Sequence, residues 1–160
     1  MHFDKTADII IVGGGIAGAI AALSCAVKNT KIIWFAPETN FNGGIQISPK
    51  TILSLKKLGV YQDLKKFLTP ILMIRIRDPK KLSDLAKIDL PENYFSISRE
   101  KFFSVLNKKI AIKSSITIKK TEVISLHQNE NTVDCISKES KLFQAKVLIG
   151  ADGFDGITRK

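Results

Sequence analysis

The run Ile9-Ile10-Ile11-Val12-Gly13-Gly14-Gly15 constrains this chain more than any other stretch. Four β-branched residues in a row favour extended backbone buried on both faces, so Asp8–Val12 reads as a central parallel strand. The glycines end it at once. Ile16 to Val27 then reads as a buried, Ala-rich helix, and Lys31 to Phe35 as a second short strand. Together these segments make a βαβ unit, the minimum package for a dinucleotide site.

The same region invites a different reading. From Ile9 to Val27 the chain carries no charge for 19 residues, close to the ~20 needed to cross a bilayer. Consecutive glycines argue against one continuous helix, because each costs about 1 kcal/mol there. The preceding segment carries two acids and no small-residue cleavage site follows, so neither a signal peptide nor a membrane span is expected.

Gly13-Gly14-Gly15-Ile16-Ala17-Gly18 satisfies G-x-G-x-x-G with a strand before it and a helix after it. In that context Gly13 makes the tight turn, Gly15 lets backbone approach a pyrophosphate, and Gly18 lets helix and strand pack closely. The backbone N–H groups of Gly14, Gly15, Ile16 and Ala17 then face two phosphates, helped by the helix dipole. A purely structural Gly-rich turn is the competing reading. The other half of such a fingerprint is a carboxylate roughly 20 residues on that binds a ribose. Glu38 is the only nearby acid, and it lies just past the second strand, behind Pro37.

Downstream, Ser48 is placed to cap a helix that begins at Pro49 and closes at Gly59, with Ile52, Leu55 and Leu58 on one face. Ile71 to Arg77 alternates apolar and basic residues, as a half-exposed strand does. A helix from Arg99 to about Ile110, capped by Ser98, turns Phe102, Val105, Leu106 and Ile110 inward. Four strand candidates follow, Ser115–Ile118, Thr121–Gln128, Thr132–Ser137 and Leu142–Ile149, and their tight spacing makes the middle ones an antiparallel meander. The expected fold is α/β, a Rossmann-like βαβ unit with a late antiparallel β-meander insertion, in one domain over residues 1–160.

Two further positions carry chemistry. Arg99 puts a cation in the first turn of a helix, which opposes the dipole by about 0.3–1 kcal/mol. An anionic ligand would reverse that sign, and a solvated Arg would tolerate it. The closing stretch delivers Gly150-Ala151-Asp152-Gly153 to the carboxyl edge of a parallel sheet, where ligands gather. Asp152 and Gly153 would there sit beside a cofactor's phosphates or sugar, although a plain Asp-Gly turn is also consistent.

Composition excludes some partners. The net charge of +10 comes from 21 Lys against 4 Arg, scattered in pairs along the chain. Nucleic-acid readers lean on Arg forks and exposed aromatics, which are not clustered here, so no nucleic-acid partner is expected. Cys25 and Cys135 make no metal-like or redox-like pair, which points to a reducing cytoplasm and no metal site.

With these residues in place, a family resemblance is visible. Asp8 to Ala26 resembles the amino terminus of FAD-dependent aromatic-ring monooxygenases of the para-hydroxybenzoate hydroxylase type. Gly44 to Val60 is similar to the segment after the second strand in salicylate-hydroxylase-like and ubiquinone-biosynthesis members. Ile97 to Leu106 resembles the helix whose leading Arg contacts the flavin, and Leu148 to Lys160 the family's Asp-Gly motif.

The resemblance implies FAD as cofactor and NAD(P)H as a transient reductant, with hydroxylation of an aromatic or quinone-precursor ring by the whole enzyme. It implies that Gly13, Gly15 and Gly18 hold the pyrophosphate, that Arg99 reaches the flavin, that Val123 meets the adenine through its backbone, and that Asp152 and Gly153 bind FAD and NAD(P)H. No protein nucleophile is implied, because the flavin carries the reaction. The family's ribose-binding Glu aligns with Ala36 here, leaving Glu38 as the stand-in.

Members run more than twice this length, so the chain is expected to be an N-terminal portion, inactive alone, whose second half would reside elsewhere or in a partner chain. Its place is cytoplasmic, or peripheral to a membrane if the substrate is a quinone precursor. A stand-alone module binding NAD(P) or ADP-ribose without catalysis, or a decayed fragment, is the alternative.

Overall fold

The structure, a computed structural model, describes residues 5–40, 42–81 and 83–159. In chain order the elements are β1 (Lys5–Val12), α1 (Ile16–Cys25), β2 (Ile32–Phe35), β3 (Gly44–Ile47), α2 (Pro49–Lys57), α3 (Tyr61–Lys65), β4 (Thr69–Pro70), β5 (Met73–Arg77), β6 (Asp84–Asp89), β7 (Phe95–Ser98), α4 (Arg99–Ala111), β8 (Ile116–Lys119), β9 (Val123–Gln128), β10 (Val133–Ser137) and β11 (Leu142–Gly150), followed by a 3-10 turn at Ile157–Arg159. They fall into two units, one formed by Met1–Asn40 with Leu106–Lys160 and the other by Phe41–Val105.

The first unit is built on a six-stranded sheet in the order β8-β2-β1-β11-β10-β9. The first four strands run parallel, and β10 and β9 then reverse. The expected α/β class with a late antiparallel meander is what forms. The last of the meander strands does two jobs, since β11 pairs β10 through its first half and β1 along its length.

Register explains where a site can arise. Val12 lies opposite both Phe35 and Gly150, and Phe35 lies opposite Lys119. Four parallel strands therefore release their chains at one edge of the sheet, the edge where α/β sheets bind ligands.

The β-branched run predicted to be central is central. Ile10 and Ile11 are fully buried, and all four residues of β2 are buried, as a strand covered on both faces requires. One core brings Ile10, Val12, Ile33 and Phe35 together with Val123, Val133, Cys135, Phe143 and Ala145 of the meander. The Phe143 ring meets Phe35 edge-on at 5.0 Å, an arrangement the ring quadrupoles favour. Helix α1 is only 10 residues long and buries Gly18, Ala19 and Ala22. Among the described residues no helix is long and apolar enough to cross a membrane.

The second unit holds more antiparallel structure than the sequence suggested. A three-stranded sheet in the order β3-β7-β4 and a separate β5–β6 hairpin accompany α2 and α3. Ser48 caps α2 by accepting from the Thr51 N–H at 3.2 Å, with Pro49 in the first turn, as expected. Of the predicted Ile71–Arg77 strand, Met73–Arg77 forms β5. Ile74 lies opposite Ile88 and Ile76 opposite Ala86, which gathers apolar side chains on one hairpin face.

Three titratable groups report on how the first unit is held. Asp8 accepts from the Lys31 backbone N–H at 2.9 Å and from Lys146 Nζ at 3.2 Å. The backbone hydrogen bond first, and the Lys146 side chain second, hold its carboxyl below the usual range. Glu139, in the β10–β11 turn, is lowered in the same direction by Thr121 Oγ1 at 2.6 Å and Ser137 Oγ at 2.9 Å. Burial pushes the Cys135 thiol up to about 12.

Carboxylates held low stabilise the fold above the ordinary carboxylate range, and that stabilisation is lost as pH falls through their folded values. Asp8→Asn is thus expected to lower the melting temperature at pH 7, with the gap to wild type closing as pH drops below about 4; a gap independent of pH would show that the ionised form contributes nothing. At pH 8 a thiol reagent is expected to leave Cys135 unmodified in the native protein and to reach it only on unfolding, because neither thiolate nor access is available. Labelling of both cysteines under native conditions would contradict this burial.

Candidate functional site

The site begins where β1 ends. Gly13 adopts φ +129°, a conformation L side chains rarely take, and the space a Cβ would fill is already held by the Ala151 carbonyl and the Asp152 backbone nitrogen. Its N–H donates to Phe35 O at 2.9 Å, and the Ala151 N–H donates to Val12 O at 2.7 Å. The glycine turn and the Asp-Gly turn, far apart in sequence, are thereby packed backbone against backbone.

Each remaining glycine of the motif has its own surroundings. A side chain on Gly14 would run into the Pro37 carbonyl, just beyond β2. One on Gly18 would run into the Gly13 carbonyl and Trp34 Nε1. These are packing reasons. Gly15 is different: a Cβ there would meet nothing within 4 Å, and its backbone (φ −83°, ψ −176°) is open to any residue. The protein itself supplies no steric reason for a glycine at that position.

Gly15 is also the residue that precedes α1, which has no side-chain cap and no acidic residue in its first turn. The first backbone donation into the helix is Ala19 N–H to Gly15 O at 3.1 Å. Among the described residues, the N–H groups of Gly14, Gly15, Ile16, Ala17 and Gly18 find no acceptor. A glycine-lined, uncapped helix start with a run of free donors can hold an anion.

Asp152 is engaged within its own turn. Its carboxylate accepts from the Thr158 N–H at 3.0 Å and, in a shorter contact, from the Thr158 hydroxyl. Gly150 and Gly156 pack against Thr158 and Asp152 with no room for a side chain. The Asp152 carboxylate thus closes the turn that carries Gly153, which is exposed at φ +87°.

The other predicted residues lie as follows. Glu38 is 89% exposed and, among the described residues, pairs with Lys120 Nζ at 3.9 Å. It follows Ala36, whose N–H donates to Lys119 O at 2.8 Å where β2 and β8 end. Val123 opens β9 with its side chain buried in the core, leaving only its main chain for a ligand. In the second unit, Arg99 opens α4 with an exposed side chain and its N–H on Gly43 O at 3.0 Å, while Ser98 Oγ caps the helix through Lys101 N–H at 3.2 Å. Among the described residues no group of three or more His, Cys, Asp or Glu side chains could hold a metal.

Two residues of this site were not singled out from the sequence. Trp34, 1% exposed, donates from Nε1 to Gly13 O at 2.8 Å. Its signal was a lone Trp, which must find a polar partner, in an otherwise aliphatic and Phe-containing strand. Thr158 was legible only as a hydroxyl shortly after an Asp-Gly turn, too common a pattern to select.

Residues 6–160 match the family described as FAD binding domain. The chain is 27% identical over 164 residues to the FAD-dependent monooxygenase andE of Emericella variicolor, covering 95% of this chain and 34% of that protein. It is 26% identical over 168 residues to the 3-hydroxybenzoate 6-hydroxylase of Klebsiella oxytoca, covering 98% of this chain and 42% of the relative.

Among solved structures it is similar to the flavin-dependent monooxygenase PieE, with a TM-score of 0.83 at 18% identity over 96% of this chain and 31% of that one. It is similar also to p-nitrophenol 4-monooxygenase PnpA from Pseudomonas putida, with a TM-score of 0.81 at 18% identity over 97% of this chain and 43% of that one. The chain spans about a third of the length of the first curated relatives it matches. With residues 6–160 matched by its model, the chain belongs to the FAD-binding domain family.

Proposed function

We propose that this chain is the FAD-binding portion of a flavin-dependent monooxygenase that hydroxylates an aromatic or quinone-precursor ring with NAD(P)H and oxygen. The observation that carries the reading is Gly15. It has no steric reason within the protein to be glycine, yet it stands beside the free N–H groups of Gly14, Ile16 and Ala17. A ligand that must come within contact distance of the backbone supplies the reason.

The residues present fit the pyrophosphate end of FAD. Gly14 to Gly18 would donate backbone hydrogen bonds to its oxygens, and the dipole of α1 would add favourable charge. Asp152, held by Thr158, would keep Gly153 and the turn's main chain against the same edge. The ribose end is served less directly, because Ala36 has no carboxylate and Glu38 would have to leave Lys120 to reach a hydroxyl. Val123 would offer its main chain to the adenine, and Arg99 its guanidinium to the flavin side.

When bound, FAD would supply the redox chemistry between NAD(P)H, oxygen and the ring. The chain's own part is to bind and orient. The names of two similar proteins, a 3-hydroxybenzoate 6-hydroxylase and a p-nitrophenol 4-monooxygenase, support a phenolic substrate class. The missing carboxylate at Ala36 weakens a stand-alone NAD(P) or ADP-ribose module by the same argument; equal affinity for FAD and ADP-ribose would support that second reading.

Gly15→Val is expected to leave the unfolding midpoint unchanged, since its Cβ meets nothing, and to weaken FAD binding by at least tenfold, on the order of 1.4 kcal/mol. Titration of flavin fluorescence measures the affinity; unchanged binding by a folded variant would remove the cofactor from this loop. Thr158→Val is expected to cost about 1–3 kcal/mol in urea unfolding by leaving part of the Asp152 carboxylate without its donor. A neutral result would mean that the turn does not depend on this pair.

A further inference from the structure

We propose that Trp34 is a positioning residue for the cofactor loop, acting through the peptide bond between Gly13 and Gly14. The inference rests on the pyrophosphate reading of that loop and adds to it a residue outside the glycine motif. Trp34 Nε1 donates to the Gly13 carbonyl at 2.8 Å in a buried contact. The chain has no cis peptide bond among its described residues, so the C=O and N–H of that planar unit point in opposite directions. Holding the Gly13 carbonyl against the indole therefore turns the Gly14 N–H the opposite way, away from Trp34 and free of any acceptor among the described residues.

Close backbone packing on Ala151, Asp152 and Pro37 fixes where this turn lies, and the indole adds a directional hydrogen bond to its carbonyl. Gly13 and Gly14 are both glycines, so side-chain sterics do not bias the rotation of the unit between them. The Gly13 N–H is fixed to Phe35 O at 2.9 Å, which anchors one side of the turn but not the plane that follows. The indole holds the carbonyl of that plane directly. Gly18 makes room for it, because a Cβ at that position would lie 2.9 Å from Trp34 Nε1. A strand residue chosen for packing alone would not need a hydrogen-bond donor, and a buried indole N–H without an acceptor would be costly. Here donor and acceptor satisfy each other, and the Gly14 N–H on the far side of the same peptide is held in one orientation for an anion.

The test uses the 15N-labelled chain and two probes, inorganic pyrophosphate and FAD. In wild type the Gly14, Ile16 and Ala17 amides are expected to shift on pyrophosphate addition, and the single indole signal to exchange slowly with solvent. Trp34→Phe is expected to bind both probes about tenfold more weakly, with the Gly14 response lost while those of Ile16 and Ala17 persist. Replacing Trp34 by β-(3-benzothienyl)alanine, which keeps the ring shape but lacks the N–H, guards against a folding defect and is expected to reproduce the loss.

Either folded variant binding as tightly as wild type, with an intact Gly14 response, would overturn the proposal. A uniform weakening at all three amides would also overturn it, since that is what a merely structural role predicts. Wild type responding to pyrophosphate at Gly14 but not binding FAD would support the positioning role and sink the FAD reading. FAD binding without any pyrophosphate response at Gly14 would do the reverse, and failure of both probes would overturn both.

Discussion

The contact between Gly13 and the Ala151–Asp152 backbone is the constraint around which the first unit is arranged. Two strands can release their chains side by side at one sheet edge only if neither carries a side chain into the other's path. Gly13 meets that condition by having no Cβ and by adopting a conformation closed to other residues. The Ala151 N–H on Val12 O then extends the β1–β11 ladder one step past the strands. With this joint closed, α1 starts at the carboxyl edge, and among the described residues its first N–H groups have no acceptor.

The core behind the joint follows from the double role of β11. It completes the parallel sheet beside β1 and starts the antiparallel meander beside β10. That lets Phe143 and Ala145 join Ile10, Val12, Ile33 and Phe35 in one cluster. Rigid packing beneath a binding loop matters because backbone donors work only when held in place before the ligand arrives. Trp34 links the two levels: it is a fully buried member of β2 and also a hydrogen-bond partner of the loop.

Much of this was legible in the chain. The β-branched run, the glycine spacing, the Ser48 and Ser98 caps and the inward face of α4 are local patterns, and each formed where its pattern pointed. The parts that were not legible are non-local. β3, β4 and β7 are short and partly exposed, and their strand state depends on pairing with segments distant in sequence, as Gly44 does with Ser98. Nor does spacing reveal that Asp152 is taken up by Thr158, because a carboxylate at a sheet edge reads equally well as a ligand group until its neighbours are known.

The sequence by itself determined the βαβ start, the place of the glycine turn and the family, because these rest on residue types at short, fixed intervals. The tertiary structure alone decided which glycines serve packing and which leaves space for a ligand. It also decided that an indole from β2 orients the loop, and that the Asp-Gly turn closes against the glycine turn. The physical reason is the same in each case. Whether a missing Cβ or a buried donor matters depends on what stands within a few ångströms of it, and the chain brings those neighbours from segments far along its length.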